Sequence, residues 1–166
     1  ACSRQLAYEY LQIKAKRGNV MTLEFVIHVS IAGFLATYFH LVLAAWGDKM
    51  GMARIDFSRG MTNVTFGESY EGEAPLSLGL AQIHLNGILF ALLYASVVAK
   101  YIPVENLVLK GFIFGEILWV ISGLFFIPVI LQGGLFGTKH HPKAWMTTAF
   151  GHGAWGVTLG WLSPIL

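Results

Sequence analysis

Charge is the first thing that this sequence lacks. Only 12% of its 166 residues are charged, whereas roughly 25% are charged in a typical soluble domain. Hydrophobic residues make up 55% of the chain, and the mean hydropathy is +0.62. The formal net charge is only +2, and no basic run with interleaved aromatic residues is present, so we expect no nucleic-acid partner. This composition predicts an integral membrane protein.

Cysteine and catalytic motifs are also scarce. The single cysteine, Cys2, excludes an internal disulfide and any CxxC chemistry. Its position after Ala1 resembles the start of a lipid-modified protein, but the residues that follow do not resemble a flexible tether, so lipidation is not favoured. The sequence has no zinc-type spacing, phosphate-binding loop, nucleotide fingerprint or paired nucleophile and base. These absences favour a non-catalytic protein.

Long apolar runs are what the sequence does contain. Each of the four runs exceeds the roughly 20 residues that a helix needs to cross the hydrocarbon core. They cover residues 23–46, 76–99, 107–131 and 145–166. Several aromatic residues lie near the ends of these runs, as in an interfacial belt. The sequence therefore predicts an all-α protein in which residues 21–166 form a four-helix transmembrane bundle.

The segments outside these runs set the predicted orientation. Residues 1–20 combine basic side chains with an apolar stripe and predict an amphipathic helix on the membrane surface. The basic residues just before the first apolar run favour a cytoplasmic N-terminus in the inner (cytoplasmic) membrane of a bacterium. The long connection, residues 47–75, predicts a short interfacial helix within residues 52–61 and then an acidic loop with Glu68, Glu71 and Glu73. This loop is either a docking loop for a neighbouring subunit or a plain solvated loop.

Three histidines, His40, His84 and His152, lie inside the apolar runs at one predicted depth. They lie six, eight and seven residues from the outer ends of their runs, which corresponds to about 9–12 Å at the helical rise of about 1.5 Å per residue. Small residues at helical spacing share the face of each histidine, and such residues mark the packing side of a membrane helix. All three histidines are therefore predicted to point into the bundle.

The predicted convergence of His40, His84 and His152 has several interpretations. Neutral imidazoles ligate haem iron and other metal ions, so the three histidines are candidate ligands for a b-type haem, for a single metal ion or for a quinone contact. The small residues on each histidine face favour instead a closely packed polar seam, in which each ring binds a backbone carbonyl, Thr37, Asn86 or a buried water. We expect no cofactor, with haem b as the alternative.

Glu116 is the second candidate site residue. It lies nine residues into the third apolar run, where a bare carboxylate would be costly. It is predicted to be protonated or paired with an imidazole or a lysine. A proton relay with His84 or His152 is one role, and a hydrogen bond within the bundle is the other.

Several stretches of the chain resemble an uncharacterised bacterial family of small four-helix membrane proteins, related to the YagU-like domains. The resemblance spans residues 22–166 and includes the first helix around Gly33. The resembling stretches are RIDFSRGM, HLNGILFALLYA at His84, GFIFGEILW around Glu116 and GHGAWGVTLGWL at His152. The resemblance implies a four-helix fold and a membrane location, and it implies no activity.

These observations predict a non-catalytic accessory subunit of a larger membrane complex, either respiratory or photosynthetic. Its partners would be membrane lipids and other integral membrane subunits. Small size, exposed aromatic residues such as Phe125 and Phe126, and the acidic loop favour this function. One alternative is a b-type haem electron carrier that uses His40, His84 or His152. A second alternative is a small proton or solute pathway through Glu116.

Overall fold

The structure is a computed structural model that describes residues 21–67 and 75–166. The predicted N-terminal surface helix, residues 1–20, lies outside the described residues, and so does the acidic part of the long connection, residues 68–74. The described residues are helical and contain no strand. The all-α prediction is confirmed for this part of the chain.

Five α-helices make up most of the described chain. They are α1, Leu23–Ala45; α2, Phe57–Phe66; α3, Leu76–Ser96; α4, Leu107–Ile121; and α5, Ala144–Leu162. Side-chain caps begin three of these helices, because Thr22, Asp56 and Asn106 each accept the backbone N–H three residues further on. The short helix predicted within residues 52–61 is present as α2, and it extends five residues beyond the predicted range.

Irregular helical turns join or extend these α-helices. Three short 3₁₀ turns cover Gly47–Met50, Val98–Tyr101 and Leu135–Gly137. The helix α4 continues as a π-helix over Ser122–Ile130, which contains Pro128. Proline lacks a backbone N–H and cannot complete the α-helical ladder, so a wider turn replaces the α-helix within the apolar run that the sequence extends to residue 131.

Three helical segments are long and apolar enough to cross a membrane. They are Leu23–Ala45, Leu76–Ser96 and Leu107–Ile130. This finding indicates an integral membrane protein. The helix α5 has 19 residues but is not among these segments, because glycine, threonine and tryptophan dilute its apolar side chains.

The helix α5 lies between α1 and α4, while α3 packs on the other side of α1. Tyr94 of α3 stacks on Phe114 of α4 with ring centroids 5.2 Å apart, and this contact brings α3 close to α4. Phe114 in turn lies 6.1 Å from the ring of Trp155 on α5. These aromatic rings form the centre of a core whose other members are mainly alanine, valine and leucine. The short helix α2 packs across α3 near its N-terminal end.

Glycines set the spacing between α4 and α5. A Cβ atom on Gly111 would overlap the carbonyl oxygen of Gly156 and would lie 2.7 Å from the backbone nitrogen of Gly160. A Cβ atom on Gly115 would overlap the carbonyl oxygen of His152. The two backbones are therefore in direct contact, as in glycine-mediated membrane helix pairs. We call this contact the glycine seam.

Candidate functional site

His40 and His152 meet between α1 and α5. Their ring centroids are 4.9 Å apart, and the ring planes are inclined by 60°. Both rings come from helices that pack directly on one another, so the contact is part of the bundle interior. The predicted convergence is present for these two residues, which we call the histidine pair.

The His40 side chain is enclosed on three sides. Gly151 of α5 lies so close to it that a Cβ atom there would be 2.5 Å from His40 Nε2. The ring of Phe57, the first residue of α2, lies 4.9 Å from the His40 ring in an edge-to-face arrangement. The residue is only 8% exposed, and His40 Nε2 is buried without a hydrogen-bond partner. An unpaired buried nitrogen carries a desolvation cost of about 1–3 kcal/mol.

The His152 ring is held by its own helix. His152 Nδ1 lies 2.8 Å from the carbonyl oxygen of Thr148. A carbonyl only accepts, so Nδ1 is the donor, and in the neutral ring the lone pair is then on Nε2. This orienting bond from one ring nitrogen to a carbonyl is the arrangement common to metal-ligating histidines, whose other nitrogen binds the ion.

His84 is placed apart from the histidine pair. Its ring lies 4.5 Å from the ring of Phe34 on α1, and its Nδ1 lies 2.9 Å from the carbonyl oxygen of Leu80. His84 Nε2 is buried and lacks a hydrogen-bond partner. In residues 21–67 and 75–166, no group of three or more His, Cys, Asp or Glu side chains is arranged to hold a metal ion. The structure thus brings together two of the three predicted ligands.

Glu116 lies against α5, where its side chain contacts Gly153. Its Oε1 atom is 2.8 Å from the position that a Cβ atom on Gly153 would occupy, and Phe112 packs on the same glycine. The side chain is partly buried. The one ion pair found among the described residues joins Arg59 and Asp56 at 3.9 Å, so the predicted pairing of Glu116 with a lysine or an imidazole is not observed. The proton-relay role stays a prediction.

Two threonine–tryptophan hydrogen bonds flank the histidine pair, and the sequence did not predict them. Trp155 Nε1 donates to Thr37 Oγ1 across α5 and α1 at 3.1 Å, and Thr37 donates to the carbonyl of Gly33. Trp119 Nε1 donates to Thr148 Oγ1 across α4 and α5 at 3.0 Å. Thr37, one of the predicted partners for a histidine, instead accepts a hydrogen bond from Trp155. The only sequence signal was a threonine three or four residues before each histidine of the pair.

Hydrogen bonds join the segment after α1 to the start of α5. Thr147 Oγ1 accepts from the Ala53 backbone N–H at 3.0 Å and lies 2.7 Å from the Ala53 carbonyl oxygen, to which it donates. Lys143 Nζ also donates to the carbonyl of Gly51 at 2.9 Å. These bonds hold the chain leading into α2, and therefore Phe57, over the end of the bundle that contains His40.

The remaining histidines make local contacts. His28 Nδ1 lies 3.0 Å from the backbone carbonyl oxygen of Glu24. His141 accepts the Lys143 backbone N–H at 3.0 Å in an exposed turn. His140 lies next to it, close to Gly133. These contacts lie on the surface and do not extend the histidine pair.

The spacing of the histidine pair decides which groups it can bind. With metal–nitrogen bonds of about 2 Å and a ring centroid about 1 Å behind each nitrogen, imidazoles on opposite faces of a haem would have centroids about 6 Å apart. The observed 4.9 Å is shorter, and the rings touch directly. A haem between them therefore does not fit the arrangement.

No protein-family model matches the chain, and neither a curated protein nor a solved structure matches it. The resemblance to the YagU-like domains stays a prediction.

Proposed function

We propose that this chain is a four-helix integral membrane protein that serves as a non-catalytic accessory subunit of a larger electron-transfer complex in a bacterial inner membrane. The observation that carries the proposal is the contrast between its interior and its exterior. Glycine contacts and the touching rings of the histidine pair close the interior. The exterior carries large apolar side chains, which suit lipid and neighbouring helices.

The helix α5 is proposed to be the fourth membrane-crossing helix. Its 19 residues give a length of about 28 Å, close to the roughly 30 Å of the hydrocarbon core. Trp145 and Trp161 lie at its two ends and are exposed, as expected for residues at the two interfaces. Gly153, Gly156 and Gly160, which lower its hydropathy, face α4, where they allow close packing instead of contact with lipid, and Gly151 faces His40 of α1.

The outward aromatic residues supply the surface for partner subunits. Each long helix has at least one such residue that is 41% exposed or more: Phe39 on α1, Phe90 on α3, Phe125 on the π-helix after α4, and Trp161 on α5. Aromatic side chains are enriched in protein interfaces because they bury a large area with little conformational entropy. Of the two aromatic residues predicted to be exposed, Phe125 is exposed and Phe126 is partly buried.

The test is the mass of the protein in its native membrane. We expect the tagged full chain, extracted from its own membrane in a mild detergent, to migrate on a native gel with other integral membrane subunits. A solitary, monodisperse protein at the mass of this chain alone would contradict the proposal.

Photo-crosslinking locates the partner surface. A photoreactive phenylalanine analogue at Phe39, Phe90 or Phe125 is expected to give a covalent adduct with another subunit from at least one position. Phe114 is the matched control, because it is the same residue type but only 3% exposed. Adducts from Phe114 as strong as those from the exposed positions would show that the reaction does not report a surface.

The position of Glu116 favours a second candidate function, a proton or solute pathway. Its carboxyl group packs on Gly153 of α5, so an ionisable oxygen lies against another helix within an apolar segment long enough to cross a membrane. Under this function, Glu116→Gln would lower proton or solute flux in vesicles without changing the helix content. Unchanged flux would exclude the pathway.

A further inference from the structure

We propose that the histidine pair is a binding site for one cuprous ion, Cu⁺. This proposal does not depend on the accessory-subunit function. It rests on the two imidazoles that meet between α1 and α5, on the buried and unpaired Nε2 of His40, and on the orienting hydrogen bond of His152.

The distance between the two ring centroids is close to that of two imidazoles bound at adjacent positions of a tetrahedral metal ion. With metal–nitrogen bonds of about 2 Å, two imidazoles at a tetrahedral angle have ring centroids about 5 Å apart. Two imidazoles on opposite sides of an ion would be about 6 Å apart. The observed 4.9 Å favours the first arrangement, so the rest of the coordination sphere is left for a ligand from outside the pair.

The surroundings of the pair favour a metal ion over a purely structural contact. His40 is only 8% exposed and its Nε2 has no partner; His84 shares this feature, but His40 also has a second imidazole, His152, against its ring. Gly151 lies where any side chain would overlap the His40 ring, so the sequence leaves room for that ring edge. The bond from His152 Nδ1 to Thr148 leaves the His152 Nε2 lone pair available.

Charge favours a monovalent ion. The two ligands are neutral imidazoles, and the cost of placing an ion in an apolar interior rises steeply with its charge. Copper binds well to imidazole, and Cu⁺ carries half the charge of Zn²⁺. The ring of Phe57, held over His40 by α2, adds an apolar cover of the kind that stabilises the lower oxidation state.

The experiment is a titration of the full chain, purified in detergent, with Cu⁺ under anaerobic conditions against a chromophoric copper chelator. It uses the His140→Gln/His141→Gln background, because those exposed neighbours could bind copper at the surface. We expect one Cu⁺ per chain and nitrogen ligands in the X-ray absorption spectrum. His40→Gln or His152→Gln is expected to weaken binding at least tenfold.

His84→Gln is the matched control, because His84 is also 8% exposed with an unpaired buried Nε2 but lies outside the pair. We expect this variant to change the affinity less than twofold. Helix content and gel filtration establish that each variant is folded. If the pair variants do not fold, the unsubstituted protein still provides a test, since Cu⁺ bound to the native state must raise its unfolding midpoint.

Three outcomes would overturn the proposal. The first is no Cu⁺ uptake above the detergent blank together with an unchanged unfolding midpoint. The second is binding that His84→Gln weakens as much as His40→Gln does. The third is binding of Zn²⁺ in preference to Cu⁺, which would contradict the argument from charge.

Discussion

The two sides of α5 are held to their neighbours in different ways. Towards α4, the glycine seam brings backbone against backbone, so that a Cβ atom on Gly156 would overlap the Gly111 carbonyl oxygen. Towards α1, the contact consists of side chains: the hydrogen bond from Trp155 to Thr37 and the ring contact of the histidine pair. We call this second contact the polar seam.

The helix α5 therefore has two different faces: one packs closely through glycine, and the other carries polar side chains that could bind a ligand. The glycine seam depends on distance, because any added atom separates two backbones that touch. The polar seam depends on partners, because each buried donor or acceptor needs a matching group. Of the two seams, as far as the structure describes them, the polar seam is the one with a buried polar side-chain atom that lacks a partner, His40 Nε2, and the candidate site lies there; the other such atoms, on Gln82 and His84, belong to neither seam.

The largest expected effect comes from adding a methyl group to the glycine seam. In Gly111→Ala the new Cβ would overlap the Gly156 carbonyl, and neither backbone can move without separating α4 from α5. We expect a loss of about 3 kcal/mol in the free energy of unfolding, at the upper end of overpacking costs, measured by denaturant titration in micelles.

Gly60→Ala is the control for the glycine seam. Gly60 lies in α2, and nothing is within 4 Å of the position that its Cβ would occupy. Alanine is a better helix former than glycine by about 1 kcal/mol, so this variant is expected to be as stable as the unsubstituted protein or slightly more stable. Equal destabilisation by both variants would mean that α4 and α5 are not in backbone contact.

A smaller effect is expected from removing one partner in the polar seam. Thr37→Val keeps the shape of the side chain but leaves the buried Trp155 N–H without an acceptor. We expect a loss of about 1–2 kcal/mol, since hydrogen bonds between membrane helices contribute modestly. Thr37→Ser retains the hydroxyl and is expected to lose less than half of that amount. If the two variants lose equal stability, the effect is due to packing and not to the hydrogen bond.

The smallest effect is expected outside both seams. Asp56 caps α2 by accepting the Arg59 backbone N–H, so Asp56→Ala is expected to cost about 1 kcal/mol. Arg59→Gln, which removes only the exposed ion pair with Asp56, is expected to cost less than about 0.5 kcal/mol. Hydrogen exchange should increase in α2 upon Asp56→Ala and stay unchanged in α5. Increased exchange throughout α5 would show that α2 and the polar seam are a single cooperative unit.

Periodicity and composition were sufficient to predict the helical class and the packing role of the glycines. Gly156 lies four residues after His152 and so shares its helix face, and a face of small residues favours close contact with the neighbouring helices. Hydrophobicity and length were enough to locate the apolar runs along the sequence. They did not predict that the helix changes to a π-helix at Ser122. That change depends on how Pro128 is accommodated by the turns around it.

The candidate site was predictable only in part. Depth and helix face were enough to predict that His40 and His152 lie close together. They do not determine how far each helix is rotated about its axis. The helix α3 packs on α1 so that His84 meets Phe34, away from the pair. The hydrogen-bond partners of the threonines could not be predicted from the sequence either. Trp155 and Thr37 are 118 residues apart and meet only when α1 packs on α5.

A double-mutant cycle tests most directly the claim that His40 and His152 form one unit and that His84 lies apart from it. The free energy of unfolding would be measured for His40→Phe, His152→Phe, His84→Phe and the corresponding double variants. We expect a coupling energy of at least about 0.5 kcal/mol between positions 40 and 152, and additivity within about 0.3 kcal/mol between positions 40 and 84. Coupling between positions 40 and 84 that equals or exceeds the coupling between positions 40 and 152 would contradict the account.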